Sequence, residues 1–230
     1  MQLRLVRRAR GWSQKQAAAR LGLSQSYFSM LESGKRRLTP RLARRLRVVF
    51  SLPPTFVPLP DGHPTAQVTE AARPLAEELA ALGYPGFAYL SHKRPVRNPA
   101  EVLLAALRQD ELEARVLEAL PWLLVKHWDM DRHWLVQNAK LCDLQNRLGF
   151  VGSLARRVSE RTHPPNNSRL RALAELEAVL LHSRLAREDV LGKRSLTARE
   201  RQWLRRHRPA TARRWNLLTD LRVEHLPYAD

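Results

Sequence analysis

The sequence predicts an all-α protein. Its 230 residues include no isoleucine, whereas leucine, alanine, arginine and glutamate are abundant, and these residues favour helices over strands. Helix start signals, in which a capping side chain precedes a proline or an acidic residue, recur along the chain. No apolar run approaches the ~20 residues that span a bilayer. We expect a soluble, cytoplasmic protein that has no membrane partner.

Composition narrows the classes of function. Cys142 is the single cysteine, so no internal disulfide can form, and no Cys/His group has zinc spacing. The basic N-terminus lacks the apolar segment of a signal peptide. Neither H-E-x-x-H, nor G-x-S-x-G, nor a glycine-rich phosphate loop occurs in the sequence. We therefore expect a protein that is not an enzyme and that has no catalytic residue, cofactor or metal.

One cluster, His127 to His133, holds two histidines and two aspartates within seven residues. Such a group could bind a metal only if its side chains converged on one point. The segment looks like a helix junction, where alternate side chains diverge, and Asp131 is better explained as a helix cap. The cluster therefore favours a structural role.

Positive charge is concentrated at the N-terminus. Residues 1–50 hold 13 Lys+Arg and one acid, Glu32, whereas residues 51–230 hold 27 Lys+Arg and 21 acids. A dense basic block attracts polyanions and releases counterions when it meets phosphates. Charge alone leaves two interpretations open, a nucleic-acid partner or a solvated arginine surface.

The first fifty residues carry local signals for four short helices. Gly11 ends the first helix, and Ser13 begins the second with Gln16 in capping-box spacing. Gly22 supplies the turn, where a residue comfortable at positive φ is needed, and Ser24 caps the third helix. Thr39, followed by a proline, begins the fourth helix.

Residues 13–33 therefore form two short helices joined by a glycine turn, and a basic run of residues 35–37 follows them. This is the layout of a helix-turn-helix, which lays its second helix in the major groove of DNA. Side chains on the first turns of such a helix reach furthest into the groove. Those predicted to face outward, and so to contact base edges, are Gln25, Ser26, Tyr27 and Ser29.

The segment resembles the Cro/repressor (xenobiotic-response-element) helix-turn-helix family over about 50 residues. The residues that carry the resemblance are Gly11-Trp12-Ser13-Gln14, Ala18, Leu21-Gly22-Leu23-Ser24-Gln25-Ser26 and Leu31-Glu32-Ser33-Gly34-Lys35. There are two departures: the first helix begins close to the initiator methionine, and Ala17 stands where the family has a larger apolar residue. Both predict a smaller core and no loss of function.

The resemblance implies roles for named side chains. Gln25 would face a base edge, as glutamine pairs with adenine N6/N7, and Gln14 would both support Gln25 and donate to a phosphate. Tyr27 would be placed to touch a thymine methyl. Contacts to DNA phosphates, which position the protein without reading sequence, are predicted for Gln14, Lys15, Ser24, Lys35, Arg36 and Arg37. We expect Glu32, by contrast, to pair with a nearby arginine, because phosphates would repel it.

The chain divides into three predicted parts. Residues 1–50 form the DNA-binding domain, and residues 51–65 form a proline-rich linker because prolines at that density block helix and sheet. Residues 66–230 form a larger helical domain for dimerisation or partner binding. Within it, cap and proline signals predict helices over 66–82, from Pro99 to about Ala119, over Trp122–Trp128, from Asp131 to Leu148 or beyond, over about 168–190, from Thr197 and from Pro209.

Several side-chain roles follow from these predicted helices. Asp143 and Arg147 lie four residues apart and are expected to form an ion pair. Asn138 and Gln145, seven apart on an apolar stripe, either fix the register of a helix pairing or satisfy backbone groups at the core edge. Large aromatic side chains are more often core than ligand cages, which is the expectation for Trp122, Trp128 and Trp134.

Three functions fit these features. The first is a transcriptional regulator, associated with the nucleoid of a bacterial cytoplasm, that binds double-stranded DNA as a two-fold homodimer and represses its own operon. The second is an antitoxin whose large helical domain binds and neutralises a partner toxin. The third is a phage or defence-system adaptor that the helix-turn-helix tethers to DNA. A pocket with convergent polar groups would favour a ligand-sensing form of the third.

Overall fold

The structure, a computed structural model, describes residues 3–60, 74–90, 96–162 and 167–228. Twelve α-helices and two very short strands lie within these residues, which confirms the predicted all-α class. The chain forms two compact units. The first unit comprises Met1–Pro60 and Pro95–Asn98, and the second comprises Asp61–Arg94 and Pro99–Asp230.

The first unit contains four helices, α1 (Leu3–Ala9), α2 (Gln14–Arg20), α3 (Gln25–Glu32) and α4 (Pro40–Phe50). Their boundaries follow the predicted caps closely, because each cap acts over only a few residues. The apolar faces of all four meet in one core built from Leu3, Ala17, Ala18, Leu21, Phe28, Leu31, Leu46 and Phe50, each at most 2 % exposed.

Residues 51–60 pack with the first unit. Leu52 and Phe56 lie against its core, and Val57 is buried. Asn98 belongs to the second stretch of this unit, Pro95–Asn98. Its amide donates to the carbonyls of Thr55 and Val57 at 3.2 and 2.6 Å. The rest of the predicted linker, residues 61–65, lies outside the described residues, so the predicted domain division stays a prediction.

The second unit contains eight helices among the described residues and is organised around one of them. They are α5 (Leu75–Ala81), α6 (Pro99–Arg108), α7 (Ala114–Lys126), α8 (Arg132–Leu141), α9 (Gln145–Thr162), α10 (Ser168–His182), α11 (Ala198–His207) and α12 (Ala210–Arg214). Helix α9 packs against α7, α8, α10 and α12. Every residue of α9 from Gln145 to Ala155 is buried, so this helix is the centre of the unit.

Three predicted long helices end earlier than expected, and their predicted bounds were wrong. The helix expected from Pro99 to Ala119 ends at Arg108, and a second begins at Ala114. The helix expected from Asp131 to Leu148 ends at Leu141 because Asp143 adopts a left-handed φ of 56°. The helix expected over 168–190 ends at His182. Of the helix predicted over 66–82, residues 66–73 lie outside the described residues.

Pro121, predicted to open a short helix, lies inside α7. Proline lacks an N–H and disturbs the hydrogen bonds of the preceding turn. The hydroxyl of Tyr228 repairs this region: it accepts from the Trp122 N–H at 3.0 Å and donates to the Glu118 carbonyl at 2.5 Å. A side chain from the far end of the chain thus replaces a helical hydrogen bond, which explains why α7 continues through the proline.

The polar contacts observed in the second unit also differ from those that the sequence predicted. Asp143 binds Arg187 at 3.1 Å. Arg147 instead makes two hydrogen bonds to Asp189, at 2.8 and 3.0 Å, and donates to the Leu107 carbonyl at 2.8 Å. The ion pair predicted between Asp143 and Arg147 is therefore wrong. Asp189 begins β1 (Asp189–Val190), which pairs in parallel with β2 (Leu217–Leu218).

The remaining polar and aromatic predictions have mixed outcomes. Asn138 lies on α8, where its amide donates to the Trp134 carbonyl at 2.8 Å, whereas Gln145 opens α9, so the two do not share a helix stripe. Trp134 is half-buried, but Trp128 is 36 % exposed and is not a core residue. The Asp131 carboxylate caps α8 by accepting from the Trp134 N–H at 2.9 Å, as predicted.

Candidate nucleic-acid interface

The α2–α3 segment owes its shape to two local caps and one turn. The Ser13 hydroxyl accepts from the Gln16 N–H at 3.1 Å, and the Gln16 side chain accepts from the Ser13 N–H at 2.8 Å, which completes the capping box. Gly22 turns the chain at a φ of 58°, where a Cβ would be strained. Ser24 caps α3 by accepting from the Tyr27 N–H at 3.2 Å.

Core contacts fix the angle between the two helices. Ala17 and Ala18 on α2 are at most 1 % exposed, and Phe28 and Leu31 on α3 are fully buried. The small alanines allow close approach of the two backbones at the crossing. The face of α3 opposite Phe28 and Leu31 is consequently presented to solvent.

The predicted base-contact side chains follow one another on the first turns of α3. Gln25 and Ser26 are exposed, whereas Tyr27 and Ser29 are half-buried. Tyr27 packs partly against the core, and the Arg36 guanidinium lies 5.8 Å from the centre of its ring. Gln25 and Ser26 are therefore the most accessible of the four, and Tyr27 is held in one orientation by its neighbours.

The predicted phosphate contacts surround this helix. Lys15 lies on the first turn of α2, Ser24 begins α3, and Lys35, Arg36 and Arg37 follow the end of α3, and all of these side chains are exposed. The Ser24 hydroxyl already serves as a cap and lies 3.4 Å from the Ser26 hydroxyl. A long basic side chain reaches a phosphate without having to be held in advance, because its charge acts over several ångströms.

Gln14 is positioned differently from the other predicted phosphate contacts. Its side chain is half-buried, and its amide nitrogen donates to Glu32 Oε2 at 2.8 Å. A primary amide has two N–H donors, so the second remains for another acceptor while Glu32 holds the first. The structure thus places the Gln14 amide at the start of α2 in an orientation fixed by Glu32.

Glu32 is the one acidic residue of the first fifty, and it forms an ion pair with Arg7 at 2.6 Å. This confirms the predicted pairing with a nearby arginine. Both side chains are nearly buried, at 11 and 4 % exposure. Burial raises the pKa of Glu32, but hydrogen bonds from Arg7 and Gln14 and the charges of Arg7 and Arg4 outweigh it, so the pKa lies below its ordinary value.

Sequence reasoning missed how Trp12 and two arginines connect the helices. The Arg20 guanidinium lies 4.3 Å, and that of Arg10 5.3 Å, from the centre of the Trp12 ring, close enough for cation–π attraction. Arg10 also donates to the Phe50 carbonyl at 2.9 Å and so caps the end of α4. The i, i+2 spacing of Arg10 and Trp12 across a glycine gave no signal for these contacts.

The second unit also contains a cavity of about 700 Å³. It lies between α7, α8 and α10, and an ion pair between Arg132 and Glu175 borders it. The apolar residues that line it include Leu124, Leu135, Val136, Leu173 and Leu176.

Among the described residues no group of three or more His, Cys, Asp or Glu could hold a metal ion. No helix in the described ranges has the length and apolar character needed to cross a membrane.

Comparison with known families agrees with this geometry. Residues 3–57 match a family model described as helix-turn-helix, of the Cro/C1 type, which confirms the resemblance seen in the sequence. The match covers α1 to α4 and the turn that follows them. No curated protein and no solved structure matches the chain.

Proposed function

Residues 3–57 form the Cro/repressor-type helix-turn-helix domain of a DNA-binding transcriptional regulator, and from that premise we propose that the protein represses its own operon. The observation that carries this proposal is the exposed start of α3, with Gln25 and Ser26 outward and lysine and arginine side chains around it. A repressor acts by occupying a site that RNA polymerase needs, so sequence-specific binding is sufficient for the activity.

In the proposed complex, α3 enters the major groove and Gln25 pairs with an adenine. Ser26, Tyr27 and Ser29 contact neighbouring base edges, and the phosphates are held by Gln14, Lys15, Ser24, Lys35, Arg36 and Arg37. Gln14 keeps one amide hydrogen on Glu32 and gives the other to a phosphate, which orients α2 across the backbone. A homodimer would place two copies of α3 about one helical turn apart on a near-palindromic operator.

Selection of bound sites from random DNA, followed by titration of point variants, tests the proposal. Gln25→Ala should relax the base preference at one position of each half-site, at a cost of about 1–3 kcal/mol on the selected site only. Arg36→Ala should weaken binding to every duplex and reduce the slope of log K against log [salt] by about 1. Arg187→Ala, which removes the same charge from the second unit, is the matched control. Equal loss on selected and random DNA from Gln25→Ala would contradict the assignment.

The second unit allows a further candidate role, that of a ligand sensor. The cavity of about 700 Å³ falls in the range of small-molecule sites. Its lining is apolar, and Arg132, His133, Arg171 and Glu175 border it, with Arg132 already paired to Glu175. A small apolar molecule suits that lining, and Arg171 is placed for an anionic group on it. Val136→Trp, which fills the cavity, should abolish any thermal shift that a library of such molecules produces and should leave DNA binding unchanged.

The antitoxin and adaptor hypotheses remain predictions about the same unit. A small toxin-like gene that shares the promoter, and a stable complex of its product with this protein, would favour the antitoxin. A purified protein that represses its promoter alone, with no partner recovered from cells, would favour the simple repressor.

A further inference from the structure

A second basic surface lies far along the chain from the helix-turn-helix. Residues 193–214 hold nine Lys+Arg and one acid, whereas the remainder of residues 51–230 holds 18 Lys+Arg and 20 acids. The excess positive charge of residues 51–230 thus comes from this segment, which lies in the second unit and contains α11 and α12. Charge at this density attracts a polyanion. The arrangement of the side chains on α11 indicates which class of polyanion the surface would bind.

The arginines of α11 differ in whether they have partners within the chain, according to the side of the helix on which they lie. Those on its flanks have partners: Arg205 binds Glu188 at 2.8 Å, and Arg201 donates to the carbonyl oxygens of Leu196 and Arg194 at 3.3 and 3.0 Å. Arg199 and Arg206 are exposed, and among the described residues neither has an ion pair or hydrogen bond. The helix therefore leaves two guanidinium groups available on one side.

The available arginines share their side of the helix with exposed polar and aromatic residues. Arg199, Gln202, Trp203, Arg206 and His207 are spaced i, i+3, i+4, i+7 and i+8, which defines one face of an α-helix. All five are exposed, Trp203 to 51 %, while Leu204 on the opposite face packs into a core with Val190 and Leu218. Trp203 therefore presents an aromatic surface on the same side of the helix as Arg199 and Arg206.

The Trp203 ring is held in place. The His207 imidazole stacks on it with ring centres 4.5 Å apart and an angle of 19° between the planes. His207 Nδ1 forms a hydrogen bond with the Trp203 carbonyl at 2.8 Å, which fixes the orientation of the imidazole relative to the helix. The indole is thereby oriented before any ligand binds, which lowers the entropy lost on binding.

We propose that this face of α11 binds single-stranded nucleic acid, with an unpaired base stacked on Trp203 and flanking phosphates held by Arg199 and Arg206. A flat exposed ring between guanidinium groups suits a chain in which base faces alternate with phosphates. Duplex DNA covers the faces of its bases, so an indole gains little from it. An acidic peptide would satisfy the arginines but offers no flat partner for the ring.

The test uses the full chain carrying Arg36→Ala and Arg37→Ala, so that binding by the helix-turn-helix is weakened. Affinity for a fluorescent oligo(dT) and for oligo(U) is measured over a salt series. Trp203→Ala should lower the affinity about tenfold or more. Arg199→Gln with Arg206→Gln should lower the slope of log K against log [salt] by about 1.4, since each single-strand phosphate contributes about 0.7. The preferred oligonucleotide then identifies DNA or RNA as the ligand.

Two matched variants keep the result interpretable. Arg205→Gln removes the same charge from the same helix at a position already paired with Glu188, and Tyr89→Ala removes another exposed ring. Neither should change oligo(dT) binding, and thermal melting should show that all variants are folded. An oligonucleotide with 5-iododeoxyuridine should crosslink to the peptide that contains Trp203.

Three results would overturn the proposal. They are unchanged oligo(dT) affinity in Trp203→Ala, an equal loss in Arg205→Gln, or equally effective competition by polyglutamate. The proposal for this surface and the proposal for the helix-turn-helix can be contradicted independently of each other. If Gln25→Ala leaves operator preference intact while Trp203→Ala abolishes oligonucleotide binding, only the proposed operator contact is lost.

Discussion

The two units of the chain use arginine in opposite ways. In the first unit, Arg7 is paired with Glu32 inside the fold, and the exposed arginines face a surface without a carboxylate. In the second unit, many arginines bind carboxylates or carbonyls of their own chain, as Arg147 does with Asp189 and the Leu107 carbonyl. Arginine in the second unit therefore mainly binds carboxylates and carbonyls, whereas in the first unit exposed arginines such as Arg36 lie in a segment with a single acid among its first fifty residues, and Arg10 and Arg20 pack on Trp12.

The comparison identifies two places where the pattern is reversed, and both are informative. The buried Arg7–Glu32 pair in the first unit joins α1 to the end of α3, and an unpaired charge there would be costly. The outward face of α11 in the second unit leaves its arginines available, which is why it stands out as an interaction surface. A count of charges over each unit would have missed both.

Removal of the Glu32 carboxylate should have the largest effect on stability. Glu32→Ala leaves Arg7 buried without a counter-charge and releases the Gln14 amide, and should destabilise the first unit by about 3–5 kcal/mol. Hydrogen exchange of first-unit peptides, followed by mass spectrometry, measures this loss separately from the second unit. Glu224→Ala, which breaks the exposed pair with Arg161, should change neither unit measurably.

The Glu32 effect should also depend on pH in a defined direction. The pKa of Glu32 is below its ordinary value of 4.5 in the folded chain, so the folded state binds fewer protons than the unfolded state. The stabilisation is complete above pH 4.5 and is lost as the pH falls through the folded-state pKa. The difference between wild type and Glu32→Ala should therefore shrink below pH 4, and a constant difference down to pH 2 would contradict the ionised pair.

The second unit depends on close packing at α9, and Gly149→Ala should disrupt it. A Cβ at Gly149 would lie 2.3–2.6 Å from carbon atoms of the fully buried Trp215 ring, whose Nε1 donates to the Ser153 hydroxyl at 2.8 Å. We expect a loss of about 3 kcal/mol in the second unit, measured by urea denaturation, and unchanged exchange in the first unit.

Gly152→Ala is the matched control on the same helix. A Cβ there would meet only Leu176 Cδ2, at an ordinary 3.7 Å. Because alanine favours the helix over glycine, this variant should gain about 0.5–1 kcal/mol. Equal destabilisation by the two substitutions would show that the Trp215 contact is not the cause.

Loss of one hydroxyl group should have a smaller effect. Tyr228→Phe leaves the Trp122 N–H and the Glu118 carbonyl without the group that joins them, and each is part-buried. The expected cost is about 1–3 kcal/mol, measured by urea denaturation, with Tyr89→Phe as an exposed control. Pro121→Ala removes the ring from the preceding turn and supplies an N–H for the Leu117 carbonyl, which allows the Trp122 N–H to bond directly to the Glu118 carbonyl. In that background Tyr228→Phe should cost less than it does alone.

These cases also explain which features the sequence could predict. The caps at Ser13, Ser24, Thr39 and Thr197 act over three residues, and all four lie where the sequence predicted them. The continuation of α7 through Pro121 depends on a side chain 106 residues from Trp122, so no local pattern carries it. The predicted base-contact positions rest on local geometry and family resemblance, whereas the Gln14–Glu32 contact spans 18 residues and required the structure.

The smallest expected effect is the loss of second-unit stability in mild acid, and it depends on His127. Burial lowers the pKa of His127 despite the charge of Asp129 and a hydrogen bond to the Leu82 backbone, and its Nε2 has no partner among the described residues. The folded second unit therefore binds fewer protons than the unfolded chain, whose histidine titrates near 6.5. Stability is complete above that pH and falls below it, by at most about 1.4 kcal/mol per pH unit.

His127→Phe tests this directly. The variant removes the titrating group but keeps a ring beside Trp122, which lies 6.2 Å from the imidazole. It should be less stable at neutral pH, since the Leu82 backbone loses its partner, yet its free energy of unfolding should vary less between pH 7 and pH 5. His225→Gln, at an exposed position, should keep the wild-type dependence. If the His127→Phe curve runs parallel to wild type over this range, another group is responsible for the acid sensitivity.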